Sequence, residues 1–281
     1  MEGGKSTLSS PLLARRKFYP TMSIDRNLKS LRILARQNSK IIMEHIIQAN
    51  ISRLEKDKDK LVDICVFCGS SDNITKEHVI PRWAFENSPK KFFNTNVNCL
   101  GQTYMKTTIP ACAACNNSRL SSLEKYINKL FSEVDPDLKG FTADEISNII
   151  IWLEIIDFKF EILNARRLFK ASKEKGFIPY LADFPTSVLQ PNVNYSPSKA
   201  ISEIRRSQRR LTVMNKSNSF NSLVVFKTSN KAFHFFHTMD EFIFIELPTF
   251  KIALFYFYKK TFPTIKDGHE EAMKIIDKVY N

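Results

Sequence analysis

Four cysteines, Cys65, Cys68, Cys112 and Cys115, constrain this chain more than any other feature. They form two Cys-x-x-Cys pairs, Cys65-Val-Phe-Cys68 and Cys112-Ala-Ala-Cys115, about forty residues apart. Each pair can set two thiolates on one tetrahedral ion, so the spacing predicts a structural Zn2+ site that pins the intervening chain into a small module. Gly69, directly after the first pair, gives the backbone freedom that a tight turn around a thiolate needs. The fifth cysteine, Cys99, is then a spare thiol, and zinc in a reducing compartment fits this usage better than a disulfide framework.

Between the pairs runs Thr75-Lys-Glu77-His78-Val-Ile-Pro81-Arg82-Trp83, and the second pair continues into Asn116-Asn117. Hydrolysis of a phosphodiester needs a group that accepts a proton near neutral pH, which a histidine supplies, and a cation to neutralise developing charge. A carboxylate with an amide oxygen suits hard Mg2+ or Mn2+. In its order, CxxC, then Glu-His-Val-Ile-Pro, then CxxC-Asn, this stretch of about sixty residues resembles the HNH endonuclease family. That resemblance implies a ββα-metal core pinned by a four-cysteine zinc. It implies His78 as the base that deprotonates water, and Glu77 and Asn116, with Asn117 beside them, as ligands of a catalytic Mg2+ or Mn2+. The tail from Asn116 to Glu124 resembles a bacterial HNH-like subgroup, and Glu124 lies about two helical turns beyond Asn116, able to face the same side. Two positions depart from the family pattern. Glu77 stands where an aspartate is usual. Thr107-Thr108-Ile-Pro-Ala111 stands where a middle asparagine is usual, and Asn94, Asn96 and Asn98 lie too far upstream to replace it. Asn116 also reads as a helix N-cap, which competes with a ligand role.

The net charge of +13 and pI near 9.5 favour a nucleic-acid or anionic-surface partner, since phosphates are contacted chiefly by Lys and Arg, and the resemblance to HNH endonucleases implies DNA ahead of RNA. The excess sits outside the cysteine module: residues 1–60 hold thirteen Lys/Arg against six Asp/Glu, whereas 61–135 hold eight against seven. Arg82 and the group Arg205, Arg206, Arg209 and Arg210, spaced for one helical side, are the candidate phosphate contacts; a solvated helix is the plain alternative for the four. Trp83 reads as packing against the zinc core before it reads as a base stacker. Apolar runs are interrupted by Glu154, Asp157, Glu246 and Lys251, so no membrane span is expected, and without a signal-peptide core the chain is placed in the cytoplasm.

Taken in order, the sequence predicts a flexible basic arm (1–24), an N-terminal helical segment (25–61) capped by Ser23 or Asp25, and an HNH-like zinc core (62–135) with a hairpin turning at Gly101. A C-terminal helical and antiparallel-sheet domain (136–281) follows. In the last, Thr142-Ala-Asp-Glu145 is a capping box before a strongly apolar helix, four prolines punctuate 179–197, and Phe-rich runs from 222 to 262 predict a three- or four-stranded meander holding His234 and His237 in its packing or at its edge. The fold class is α+β. The expected function is metal-dependent hydrolysis of nucleic acid with low sequence specificity, in a mobile element or in defence against phage, with a regulatory protein or a second copy as a further partner. Two alternatives stand beside it: a zinc-containing nucleic-acid-binding protein that has lost cleavage, and an interaction or toxin-like module.

Overall fold

The computed structural model describes residues 21–54, 62–89, 92–94, 101–133, 140–167, 177–178, 184–185, 197–212, 222–238 and 241–280. The basic arm up to residue 20, the charges at 55–60, Asn96, Asn98, Cys99, Pro179 and Pro191 lie outside them.

Apolar residues at three- and four-residue steps build the opening helices. In α1 (Thr21–Gln37), Ile24, Leu28, Leu31 and Ala35 are buried; in α2 (Ser39–Leu54), Ile42, Met43 and Ile46 are. Asn38 separates the two, its side-chain amide donating to the Leu34 carbonyl at 3.0 Å and so capping the end of α1. Because α1 already begins at Thr21, Ser23 and Asp25 lie inside its first turns and do not cap it.

The cysteine module follows. Strand β1 (Ile74–His78) is joined after α3 (Arg82–Phe85) and the short ladder of β2 (Phe92–Asn94) and β3 (Gly101–Thr103) by β4 (Thr108–Cys112). β1 and β4 pair antiparallel, Ile74 opposite Cys112 and His78 opposite Thr108. Gly101, expected at the hairpin turn, instead pairs with Asn94 at the start of β3. After β4 the chain passes through a π-helical turn, Ala114–Leu120, into α4 (Ser121–Glu133). α1 braces that turn: Asn27 Nδ2 donates to the Ser118 carbonyl at 3.3 Å, and Arg119 Nε to Ser30 Oγ at 3.1 Å.

α5 (Ala143–Arg167) is the axis of the molecule. Its capping box forms as predicted: the Thr142 N–H donates to Glu145 Oε2 at 2.7 Å and the Glu145 N–H to Thr142 Oγ1 at 3.3 Å. Every residue from Ile149 to Leu163 is buried, because α5 is packed by α2, α4, β4 and α6 on some sides and by a β-sheet on another. Four of these buried residues are charged, Glu154, Asp157, Lys159 and Glu161. Beyond the two-residue ladder of β5 (Phe177–Ile178) and β6 (Phe184–Pro185), α6 (Pro197–Thr212) is anchored by the buried Gln208, which accepts from Ser39 Oγ at 2.6 Å and donates to the Ala35 carbonyl at 3.1 Å.

The C-terminal sheet contains β7 (Leu223–Lys227), β8 (His234–Thr238), β9 (Phe242–Leu247) and β10 (Ile252–Phe257), all antiparallel, in the order β7-β10-β9-β8. Only β8, β9 and β10 form the expected meander; β7 joins on the far side of β10, which makes the last strand an interior one. One face packs on α5, with Phe160 and Phe235 stacked at 4.5 Å. The other carries Val224, Phe244, Phe255 and Phe257 and receives Ala272 of α7 (Ile265–Tyr280). The architecture is α+β, and no helix among the described residues is long and apolar enough to cross a membrane.

Candidate functional site

The four cysteines meet. Their sulfurs lie within 4.8 Å of one another, with Cys68 Sγ and Cys112 Sγ 3.6 Å apart. A tetrahedral ion with metal–sulfur bonds of about 2.3 Å needs its sulfurs about 3.8 Å apart, so the donor set fits zinc. The first pair is shaped by Gly69, whose φ of 74° places it in the left-handed region and lets its N–H reach the Cys65 carbonyl at 2.8 Å. The second pair ends β4 and opens the π-helical turn, where Arg119 Nη1 donates to Cys115 Sγ at 3.4 Å. A hydrogen bond from Cys115 pulls the Cys65 thiol down to about 5, whereas burial pushes Cys68 up to about 11. The group thus carries thiolate character that a cation would share.

At the far end of β1, alternation sends Glu77 and His78 to opposite faces. Glu77 is buried and faces α5, where its carboxylate accepts from Lys159 Nζ. The same ammonium donates to Glu124 Oε1 at 3.0 Å and to the His78 carbonyl at 3.1 Å, and its side chain has no exposed surface. Burial opposes the charge on Lys159, but Glu124 and Glu77 outweigh it and raise its pKa; burial likewise raises that of Glu124 against the pull of Lys159. Asn116 reaches the Glu77 face of β1 but two residues back along the strand, roughly 7 Å. There its Nδ2 donates to Thr75 Oγ1 at 2.9 Å. Asn117 is exposed, its carbonyl accepting from Ser121. The residues expected to hold Mg2+ or Mn2+ therefore do not form a ligand set: the Glu77 carboxylate already has a cation, and the Asn116 amide lies two residues back along β1, bonded to Thr75.

His78 faces the other way. The Met105 backbone lies against its ring and favours the protonated form, while Nε2 is buried with no hydrogen-bond partner among the described residues. Met105 sits in a single 3-10 turn from Tyr104 to Lys106, and Thr107 ties that turn down. Its Oγ1 donates to the Thr103 carbonyl at 2.8 Å, and its own carbonyl accepts from the Val79 N–H at 3.0 Å. The threonine at the position of the absent asparagine thus fixes the loop that orients His78. Burial lowers the His78 pKa below its ordinary 6.5; Glu77 opposes this, and the positive charge of exposed Arg82 adds to it.

Comparison with protein-family models, with curated proteins and with solved structures returned no match. The site stands on its geometry.

Trp83 packs inward, but its ring partners lie outside the zinc core: it stacks on Trp152 of α5 at 5.6 Å with Phe250 edge-on at 5.8 Å. On α6, Arg205, Arg206 and Arg209 are exposed, but Arg210 turns inward. It lies over the Tyr258 ring at 4.3 Å, with Nη2 3.7 Å from Asp157 Oδ2, so it leaves the expected phosphate-facing group. Both strand histidines pair with buried carboxylates, His237 Nδ1 with Asp157 at 2.8 Å and His234 Nδ1 with Glu246 at 2.6 Å. Asp157, Glu161 and His237 bring their ligand atoms within 4.8 Å of one another, a second group of metal-ligating type. Sequence reasoning missed Lys159. Its one signal was a lysine set between Phe158 and Phe160 inside a run with no polar face.

Proposed function

We propose that the cysteine-pinned module is a hydrolytic centre for phosphodiester bonds of nucleic acid, with His78 as the base that activates water. One observation carries the reading: the His78 ring lies against the Met105 backbone, and its buried Nε2 has no hydrogen-bond partner among the described residues. A neutral imidazole with an unbonded ring nitrogen is the arrangement a general base requires. Nε2 takes a proton from water as its oxygen attacks phosphorus, while the P–O bond to the departing nucleoside oxygen breaks and that oxygen takes a proton from solvent. The guanidinium of Arg82, close enough to act on the His78 charge, offsets the charge gathering on the phosphate oxygens. Nε2 is covered in this structure, so water and substrate reach it only when the neighbouring chain moves aside. The pairing of β1 with β4, followed by a helix, and the likeness of Glu77-His78-Val-Ile-Pro81 and Cys115-Asn116 to HNH endonucleases support the same reading. The charge of +13 and the exposed Arg205, Arg206 and Arg209 supply backbone contacts, which makes cleavage weakly sequence-specific, and the likeness to HNH endonucleases makes DNA the favoured substrate.

A second reading, a zinc-containing nucleic-acid-binding protein without cleavage, is favoured by the engagement of Glu77 with Lys159 and by the covered Nε2. The deciding experiment incubates the purified chain with plasmid, single-stranded DNA and RNA in Mg2+, Mn2+ or EDTA, beside His78→Ala. Hydrolysis predicts nicking that falls by roughly 100-fold or more in the variant, with zinc content and DNA affinity retained. Binding without nicking under every condition establishes the second reading, and loss of zinc from His78→Ala makes His78 a scaffold residue.

A further inference from the structure

We infer that Lys159 is the resident cation of the Glu77–Glu124 pair, so that this site takes no divalent ion. The inference rests on the hydrolytic reading of the module for its significance, but its geometry is independent of it. Glu77 comes from β1 and Glu124 from the first turn of α4, and both carboxylates converge on one nitrogen delivered by α5. An ammonium has three N–H donors. Here they meet three acceptors, Glu77 Oε1, Glu124 Oε1 and the His78 carbonyl, and the lysine side chain has no contact with solvent. A hydrated Mg2+ would need about six oxygen ligands at about 2.1 Å, several of them water. The position between the two carboxylates that such an ion would occupy is filled by Nζ, and a dication brought beside it meets a like charge in a dry setting.

The third bond gives the lysine a further task. By accepting from Nζ, the His78 carbonyl fixes the end of β1 from below while the Met105 backbone lies against the ring. Lys159 is in this sense a positioning residue for His78: it acts through the backbone and touches no substrate.

The test counts bound Mn2+ on the zinc-loaded full chain by electron paramagnetic resonance, because differences between variants cancel any ion held at Asp157, Glu161 and His237. Wild type and Glu77→Gln should bind the same number of Mn2+ ions. Lys159→Met should gain about one, and the gain should vanish in Glu77→Gln/Lys159→Met. A wild-type Mn2+ ion that Glu77→Gln loses overturns the inference, as does a folded, zinc-retaining Lys159→Met that gains none. If Lys159→Met fails to fold, the comparison of wild type with Glu77→Gln still decides. Cleavage is the second arm: nicking by wild type should be unchanged within about twofold in divalent-free buffer with zinc retained. Nicking that requires added Mg2+ overturns the inference, whereas absence of nicking in every buffer removes the hydrolytic reading and leaves the Mn2+ count to judge the lysine.

Discussion

His78 should report its surroundings through its titration. Burial lowers its pKa from 6.5, Glu77 opposes, and Arg82 adds to the lowering. The unfolded chain therefore binds this proton more readily than the folded one, and stability should fall as pH drops through the window just below 6.5. Removing the Arg82 charge deletes one lowering influence. Arg82→Ala should accordingly shift the His78 ring signal, followed by NMR, to titrate at higher pH, and any acidic limb of a pH–rate profile should move the same way; an unchanged titration would place the guanidinium away from the ring. Legibility at this scale was uneven. Glu77 and His78 stand out in the sequence because adjacent acid and base at a strand end suggest chemistry, and Thr107 was visible as a departure. What the sequence hid was the consequence of each: Thr107 rebuilds the loop through a hydroxyl, and Glu77 finds its partner 82 positions away, in a helix whose only hint is one lysine among phenylalanines.

Helices and strands were largely readable, because apolar periodicity and local caps are written in neighbouring residues. The capping box before α5 is such a case, and Thr142→Ala should lower unfolding free energy by about 1 kcal/mol in denaturant titration. Strand order was not readable. Which strand lies beside β10 is decided by how the sheet seats on α5 and α7, and no local signal distinguishes β7 from β9 as a neighbour. The arginines of α6 show the same division: spacing grouped four of them, and packing removed Arg210 to Tyr258 and Asp157. Replacing Arg205, Arg206 and Arg209 by Ala should weaken DNA binding and flatten the slope of log K against log salt by about 0.9 for each phosphate that is no longer neutralised. Arg210→Ala should leave that slope nearly unchanged and lower stability, since it strips a buried carboxylate of a cation. Equal slopes for the two variants would refute this division of the helix.

For the molecule as a whole, the cysteine cluster is not a detachable ornament. α1 is bonded to the turn that carries Cys115, and α5 sends Lys159 beneath β1. Cys65→Ser should therefore remove about one zinc per chain and, in hydrogen exchange, cost α1 and α4 their protection together with β1 and β4, because metal binding supplies folding free energy to everything braced on it. Protection retained in α1 would show the brace to be weak. The position of β10 between β7 and β9 has a consequence for the growing chain. A polypeptide leaves the ribosome N-terminus first, at about 5–20 residues per second, and domains close when their last interior piece arrives. Until Ile252–Phe257 emerges, β7 has no neighbour and the hairpin of β8 and β9 presents Phe236, Phe242 and Phe244 without the strand that shields them. The cysteines, Glu77 and Glu124 emerge well before that, ahead even of the lysine that neutralises them. A nascent chain thus passes through a stage with open thiols and two uncompensated acids, and metal availability during synthesis bears on which ion it meets first.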